Sequence, residues 1–596
     1  MRAARFALWL TLLRRCRQVA PRAALALAGL IAAGSAAVAL LAVSVRSLVD
    51  SAVRSDQPQT LTAAVGATVC LLVVHIGSGT REALRGTLAE RVGMEIDQEI
   101  IATVTGLHRL EHLERPAYLD RVSLVLGSGP NLVAAAWVPL ESVGSVIGIG
   151  ASAVLLTQVH PVLLLLLPCA AFPLLLHRHA QRGIRAASLA TAQPARLEEH
   201  LFSLLTSAAS AKEIMATGAG GRLRELRAAA WREATDIQHR ARLRGALLTS
   251  AGWLLFSCAF VGGLAYASYL ASRGERSAGD VLLAVTLASQ LRRQIEQTVS
   301  SVGNAVSGAE ALDPYLWLRA HREQAEGSRP DGAELPDALR HGITLDDVGF
   351  RYPQADRDAV RSVSARLPAG ATVAVVGEYG SGKTSLVKLL CGFYEPARGR
   401  ITVDGVALRD LDPAAWRARV SAAFQDFGRY RTTLREAVGV GDLSRADDER
   451  AVLAAVRDGD AQPVVEWLTD GLDTLLGKDF GGTDLSEGQW QRVALARSAM
   501  RPAPLLLVLD EPTAALDAPS EYAVFRRHRS IARRLAAEHG TITVIVSHRL
   551  PTVRDADLIL VMEDGALIEA GSHEHLLSLR GRYAELLALH RQLHRL

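Results

Sequence analysis

The chain has 596 residues, several times the roughly 100 to 200 of one domain, and is 49% hydrophobic, 21% charged and only 5% aromatic. Its 66 Lys plus Arg stand against 62 Asp plus Glu, a net charge of +4 that is too small an excess to argue for nucleic acid as a partner. The five cysteines are scattered without a CxxC pair, which suggests neither a disulfide framework nor a zinc site, and uncharged runs long enough to cross a bilayer exclude a purely soluble enzyme.

Taken in chain order, the first expected element is an arginine-flanked helix over Phe6 to Leu13 that suits the inner membrane surface. Ala23 to Val45 then carries no charge and is longer than the about 30 Å of hydrocarbon requires. Leu61 to Thr80 gives a second span, with His75 its only ionisable group. Val122 to Leu176 has room for two helices joined by a turn near Gln158 to Pro161. Gly245 to Ser272 is a fifth, and a sixth begins at Val281. The predicted spans are 23–49, 60–80, 128–156, 160–177, 245–272 and 280–305, within an all-α transmembrane domain over 1–318.

Arginines resist translocation, so the N-terminal stretch with Arg2, Arg5, Arg14, Arg15, Arg17 and Arg22 is expected in the cytoplasm. The long arginine-rich stretches near 81–121 and 177–244 are expected there too, in a multi-pass protein of the cytoplasmic membrane. Glu141, Arg292, Arg293 and Glu296 lie at membrane depth, where charge is costly. Two readings stand. They line a substrate cavity, or Arg292 and Arg293 pair with Glu296 along one helix.

Residues 319–342, rich in charge, Gly and Pro, read as a linker. Beyond them apolar strands alternate with helical stretches, which predicts an α/β domain over 343–596. Within it ATVAVVGEYGSGKTSLVKLL is strand, glycine turn and helix, and Gly377 to Thr384 matches GxxxxGK[ST]. Glycines let the backbone wrap phosphate at a helix N-terminus; Lys383 supplies charge, and Thr384 a hydroxyl for Mg2+. This predicts an α/β P-loop NTPase domain. LLLVLDEPTAALD then gives a wholly apolar strand ending in Asp510, the expected Mg2+ ligand, and Glu511, the expected general base.

These motifs together resemble those of the ATP-binding cassette (ABC) exporter family, in its half-transporter form with fused membrane and nucleotide-binding domains. Leu485-Ser486-Glu487-Gly488-Gln489 resembles the family signature LSGGQ, with Glu487 in place of its first glycine. FQDF places Gln425 as the Q-loop glutamine, Ala515-Leu516-Asp517 looks like the D-loop, Ser547-His548-Arg549 like the switch histidine, and FRYP sets Tyr352 where an aromatic stacks on adenine. The resemblance implies ATP and Mg2+. It implies nucleotide contacts from Tyr352, Gly377, Glu378, Tyr379, Gly380, Ser381, Gly382, Lys383, Thr384 and Ser385, completed by Ser486, Gly488, Gln489 and Asp517. It makes Glu511, His548 and Gln425 catalytic, and Thr384, Gln425 and Asp510 metal ligands. Lys478 departs from the pattern, since many exporters carry glutamate there.

The resemblance further implies a head-to-tail dimer, with each ATP between one chain's phosphate loop and the other's signature; a homodimer and a heterodimer with a similar chain both fit. HLERPAYLDRV, 112–122, looks like a first coupling helix, and a second is expected near Lys212 to Arg227. The expected function is ATP-driven export across the cytoplasmic membrane, of a peptide or natural product in the setting that high Arg and Ala with only four lysines suggests. The alternatives are a multidrug or lipid exporter of the same fold and an importer of metal chelates. A cassette ATPase of DNA repair is opposed by the spans. No cysteine-protease domain precedes the first helix, so the leader-trimming class is not expected.

Overall fold

The computed structural model describes residues 2–107, 109–327, 333–512, 518–547 and 553–593. It divides into two compact units, one of 1–102 with 123–318 and one of 103–122 with 319–596.

The first unit is helical: α1 (Arg2–Val19), α2 (Pro21–Val53), α3 (Gln57–Thr105, whose last three residues belong to the second unit), α4 (Pro116–Val125, whose first part belongs to the second unit), α5 (Gly129–Val159), α6 (Leu166–Ala190), α7 (Ala192–Thr206), α8 (Ala208–Thr217), α9 (Gly220–Ser272) and α10 (Ala278–Gly327, in the second unit from Arg319). Helix α2 shows the pattern of those that suit a membrane. Leu27, Ile31, Gly34 and Leu41 recur at helical spacing and are buried, while Leu25 and Leu40 on other faces remain exposed, the all-round apolarity of a helix meant for lipid. Among the described residues five stretches are long and apolar enough to cross a membrane: α2, α3, α5, Pro161–Ala190 and α9. The expected sixth span lies in α10, whose arginines keep it out of that set.

Between α5 and α6 the apolar run is interrupted at His160, whose Nδ1 accepts from the Val162 backbone N–H at 3.2 Å and caps a short 3-10 turn, Pro161–Leu165. At the same end Arg46 pairs with Asp280 at 2.9 Å, and the Gly279 N–H donates to Asp50 at 3.1 Å, tying α2 to the start of α10. Helix α10 runs on to Gly327, into the stretch read as linker. Its residues 319–326 contain good helix formers and no proline, so the helix ends at Gly327 instead of before Arg319. Near the second expected coupling segment the short helix is α8, ended by Gly218 at φ +66°.

The second unit carries two sheets. An antiparallel one orders β2 (Val360–Leu367), β1 (Ile343–Phe350), β4 (Arg398–Val403) and β5 (Val406–Ala407). The other orders β10 (Ala566–Gly571), β9 (Leu558–Glu563), β3 (Thr372–Val376), β8 (Ile542–Val546), β7 (Leu506–Asp510) and β6 (Val420–Ala423), all parallel except β10. Every residue of β7 and β8 is buried, as strands covered on both faces must be. The helices are α11 (Lys383–Leu390), α12 (Pro413–Ala418), α13 (Leu434–Gly439), α14 (Glu449–Asp458), α15 (Gln462–Trp467), α16 (Glu487–Ser498) and α17 (Ala518–His539), followed by His573–Leu579 and Arg582–Leu593. The core includes Trp416, 1% exposed, whose indole N–H donates to the Leu390 carbonyl at 3.1 Å. Burial of each such side chain contributes about 1.5–3 kcal/mol.

Residues 103–122 fold onto this unit. The Leu110 N–H donates to the Phe393 carbonyl at 3.1 Å, Arg109 pairs with Glu395, and the Tyr394 hydroxyl donates to Glu114. Burial and that carboxylate push the Tyr394 hydroxyl well above its ordinary pKa. The loops after β3 and β7, strands separated only by β8, meet at the carboxyl edge of the sheet, where open α/β sheets hold ligands.

Candidate functional site

The loop after β3 is shaped by backbone that only glycine tolerates. Gly377 (φ +154°) lies so close to β9 that a Cβ would sit 2.2 Å from the Met562 carbonyl, and one on Gly382 (φ +96°) would sit 2.4 Å from the Ala359 carbonyl. Gly382 starts α11, so the exposed N–H groups of that helix open onto the loop. Lys383 Nζ lies over the loop, 3.0 Å from the Gly377 carbonyl and 2.7 Å from that of Glu378. Burial lowers its pKa, opposed by Glu511 and Asp510.

At the end of β7 the Thr384 hydroxyl donates to Asp510 Oδ2 at 3.3 Å. Asp510 is 2% exposed, and its Oδ1 has no hydrogen-bond partner among the described residues. Burial first, then Glu511 and Asp426, raise its pKa to about 6 against the pull of Thr384 and Lys383. A buried carboxylate oxygen left unmatched beside a hydroxyl is the arrangement a hard cation satisfies, so these residues fit Mg2+.

Glu511 has φ +49°, a left-handed conformation that costs a non-glycine residue roughly 1–3 kcal/mol. It is held there by its N–H donating to the Val546 carbonyl at 3.0 Å and by Gln491 Nε2 donating to its carbonyl at 3.1 Å. Its carboxylate accepts from Gln425 Nε2 at 3.0 Å, which brings two expected catalytic residues together. Tyr352 follows β1, and its hydroxyl lies 3.0 Å from Ser385 Oγ, so that buried serine is engaged by the tyrosine.

Tyr352, Gly377, Glu378, Tyr379, Gly380, Gly382, Lys383, Thr384, Ser385, Gln425 and Glu511 all line one cavity of about 880 Å3. Ser381 is buried beneath the loop, with its Oγ 3.4 Å from Lys383 Nζ. Ser486, Gly488 and Gln489 are not part of the lining. They begin α16, where Ser486 and Gln489 form a reciprocal capping box (2.8 and 3.3 Å). Glu487, the residue in place of a family glycine, pairs with Arg429. Lys478 pairs at 3.7 Å with Asp484 and is otherwise exposed. His548 and Asp517 lie outside the described residues.

Sequence reasoning missed the C-terminal helix. Tyr583, Leu586, Leu587 and Leu589 line the same cavity, and Arg582 bonds Glu378 of the phosphate loop at 2.5 Å and Glu563 at 3.1 Å. With 204 positions between Arg582 and Glu378, no local pattern announces the pair. Gln491 was missed as well, although it lies two positions beyond the residues singled out.

Strand, phosphate-binding turn and helix, with an acidic strand end two strands away, define a nucleotide-binding domain of the P-loop class. The ABC transporter family model matches residues 360–514. An ATP-dependent lipid A-core flippase of Chromobacterium violaceum is 34% identical over 345 residues, 57% of this chain and 56% of that protein. A Beta-(1-->2)glucan export ATP-binding/permease protein of Brucella suis biovar 1 is 32% identical over 326 residues, 54% of this chain and 52% of that one. The chain thus spans about half the length of the curated relatives it matches. A bacterial Atm1-family ABC exporter solved with ATP bound superposes with a TM-score of 0.72 and 25% identity, covering 96% of this chain and 99% of that one. The chain has the architecture of an exporter-type ABC half-transporter, a membrane-type helical unit fused to an ABC ATPase domain.

Proposed function

We propose that the chain hydrolyses ATP to drive export of a substrate across the cytoplasmic membrane, as one half of a dimer. The single observation that carries this is the cavity of the second unit, which joins the glycine loop, Lys383, Thr384, Gln425 and Glu511 in one space. The loop N–H groups and Lys383 receive the phosphates, trading the carbonyl contacts of the lysine for phosphate oxygens. Glu511 orients the attacking water and takes its proton, with Gln425 fixing the carboxylate. Thr384 and Asp510 would hold Mg2+, which when bound neutralises phosphate charge. Tyr352 stacks on the base, and His548 acts beside the γ-phosphate.

The dimer is supported by what the cavity lacks. Ser486 and Gly488 lie at an exposed helix N-terminus outside the cavity of their own chain, a surface suited to the γ-phosphate held by a partner. Arg429 offsets the charge of Glu487 there. Residues 103–122, continuous in the chain with α3 and α4, are held on the nucleotide-binding unit by Leu110, Arg109 and Glu114, and nucleotide closure would pass to the helices along that chain. On cargo, the name of the lipid A-core flippase relative weighs toward the lipid alternative over a peptide, while that of the glucan exporter names a polysaccharide.

The test is Mg-ATPase activity of the full chain in lipid nanodiscs beside Glu511→Gln. Loss of a positioned general base is expected to reduce turnover by about 100-fold or more while ATP still binds. Unchanged turnover in the variant would remove Glu511 from its role.

A further inference from the structure

The helical unit holds a cavity of its own, about 370 Å3, walled by α2, α3, α5 and α10. Arg85 on α3 is engaged by both acids of the wall, 2.8 Å from Glu82 and 3.5 Å from Glu141. Arg81 donates to the Gly77 carbonyl of its own helix at 3.3 Å. Neither Arg81 nor Arg293 has a carboxylate partner among the described residues, although both line the cavity. Three arginines against two glutamates leave one positive charge in excess. Arg292, by contrast, faces Glu296 at 3.7 Å and is not part of the lining, so the two neighbouring arginines divide between the pairing and the cavity readings.

Two amides set this space apart from an ordinary polar gap. Gln290 is 1% exposed, and neither its oxygen nor its nitrogen has a hydrogen-bond partner among the described residues; Gln294 is 7% exposed with its oxygen unpartnered. A buried amide pays the full desolvation of groups that find no partner, and a leucine would fill such a position without that cost. Beside them Ile31, Val38 and Val74 give the wall an apolar side.

We propose that this cavity binds the anionic head, phosphate or carboxylate, of an acyl-chain amphiphile. Arg81 and Arg293 neutralise the head, Gln290 and Gln294 hydrogen-bond its polar atoms, and the apolar wall receives the start of its chain. That the amphiphile is the exported cargo rests on the export reading above; that it binds does not.

The experiment uses the full chain in nanodiscs without nucleotide. Lysophosphatidic acid with a fluorescent acyl chain is the probe, read above its signal in empty nanodiscs, and dodecyl phosphate, laurate, dodecylamine and inorganic phosphate compete. Dodecyl phosphate and laurate are expected to displace it, the amine and inorganic phosphate not. Arg293→Glu is expected to weaken the probe at least about tenfold and to shift preference toward dodecylamine, a reversal that mere misfolding does not produce. Gln290→Leu is expected to weaken it several-fold with no loss of thermal stability. Equal displacement by the amine, or unchanged affinity in Arg293→Glu, would overturn the proposal in favour of a water-filled polar pocket. Displacement by inorganic phosphate as strong as by dodecyl phosphate would overturn the amphiphile. Because nucleotide is absent, a failure of the Glu511→Gln test would leave this result standing, and the reverse.

Discussion

In the second unit, nine of the residues that line or underlie the nucleotide cavity come from the single stretch Gly377 to Ser385, and the chemistry is carried largely by backbone N–H groups at one loop and one helix start. In the helical unit the cavity draws on α2, α3, α5 and α10, from Ile31 to Gln297, and its chemistry is carried by side chains alone. The first kind of site needs a fixed local conformation, so it demands particular residues at particular spacing. The second needs only that distant helices pack so that isolated polar residues meet. One consequence is stability: the lysine of the loop rests on two carbonyls of that loop, whereas the helical cavity leaves amides unmatched.

That contrast can be broken by mutation. The largest effect is expected for Lys383→Ala, which removes the only side-chain cation expected on the phosphates and should weaken ATP binding by about tenfold or more, measured by equilibrium titration of the nanodisc protein. Wild-type affinity would mean that the loop backbone suffices.

Next is Asp510. Its folded-state pKa of about 6 lies above the ordinary carboxylate value, so the folded protein binds the extra proton and stability falls as pH rises through that window. Apparent Mg2+ affinity should therefore weaken as pH falls below about 6. Without Mg2+ and nucleotide, Asp510→Asn should raise Tm at pH 8 by roughly 2–4 °C. A lower Tm would show that the carboxylate is stabilising by itself.

Gln290→Leu sharpens the comparison from the other side, because replacing an unmatched buried amide should leave Tm equal or raise it by a few degrees, by differential scanning calorimetry. A clear loss would mean that the amide is satisfied in the membrane. The smallest effect belongs to Arg582→Ala, which unties the C-terminal helix from Glu378; ATP affinity should fall by no more than a few-fold at low salt and be unchanged in high salt, as for an exposed ion pair.

What the sequence disclosed follows the same division. Gly377 and Gly382 were legible because no other residue fits their φ and their approach to Met562 and Ala359, and Asp510 because a fully buried strand ends there. Glu511 was legible by position, its strained backbone was not. The five apolar helices were evident from charge-free runs, and α10 was weakest because Arg292 and Arg293 interrupt its apolar run, the one beside Glu296 and the other in the cavity lining. Arg292 and Arg293 are adjacent and of one type, and only the rotation of α10 separates the one beside Glu296 from the one in the cavity. The Arg582–Glu378 bond and the C-terminal wall of the nucleotide cavity depend on chain return across the whole domain, and the end of α10 on helix propensity within a stretch whose composition suggested linker.

The account stands or falls on ATP being shared between the phosphate loop of one chain and the signature segment of another. Vanadate trapped with Mg2+ and ADP occupies the γ-phosphate position, and ultraviolet light then cuts the backbone beside it. In the full chain in nanodiscs, cuts are expected both within Gly377 to Thr384 and within Leu485 to Gln489. Cutting at the phosphate loop alone would contradict the shared site.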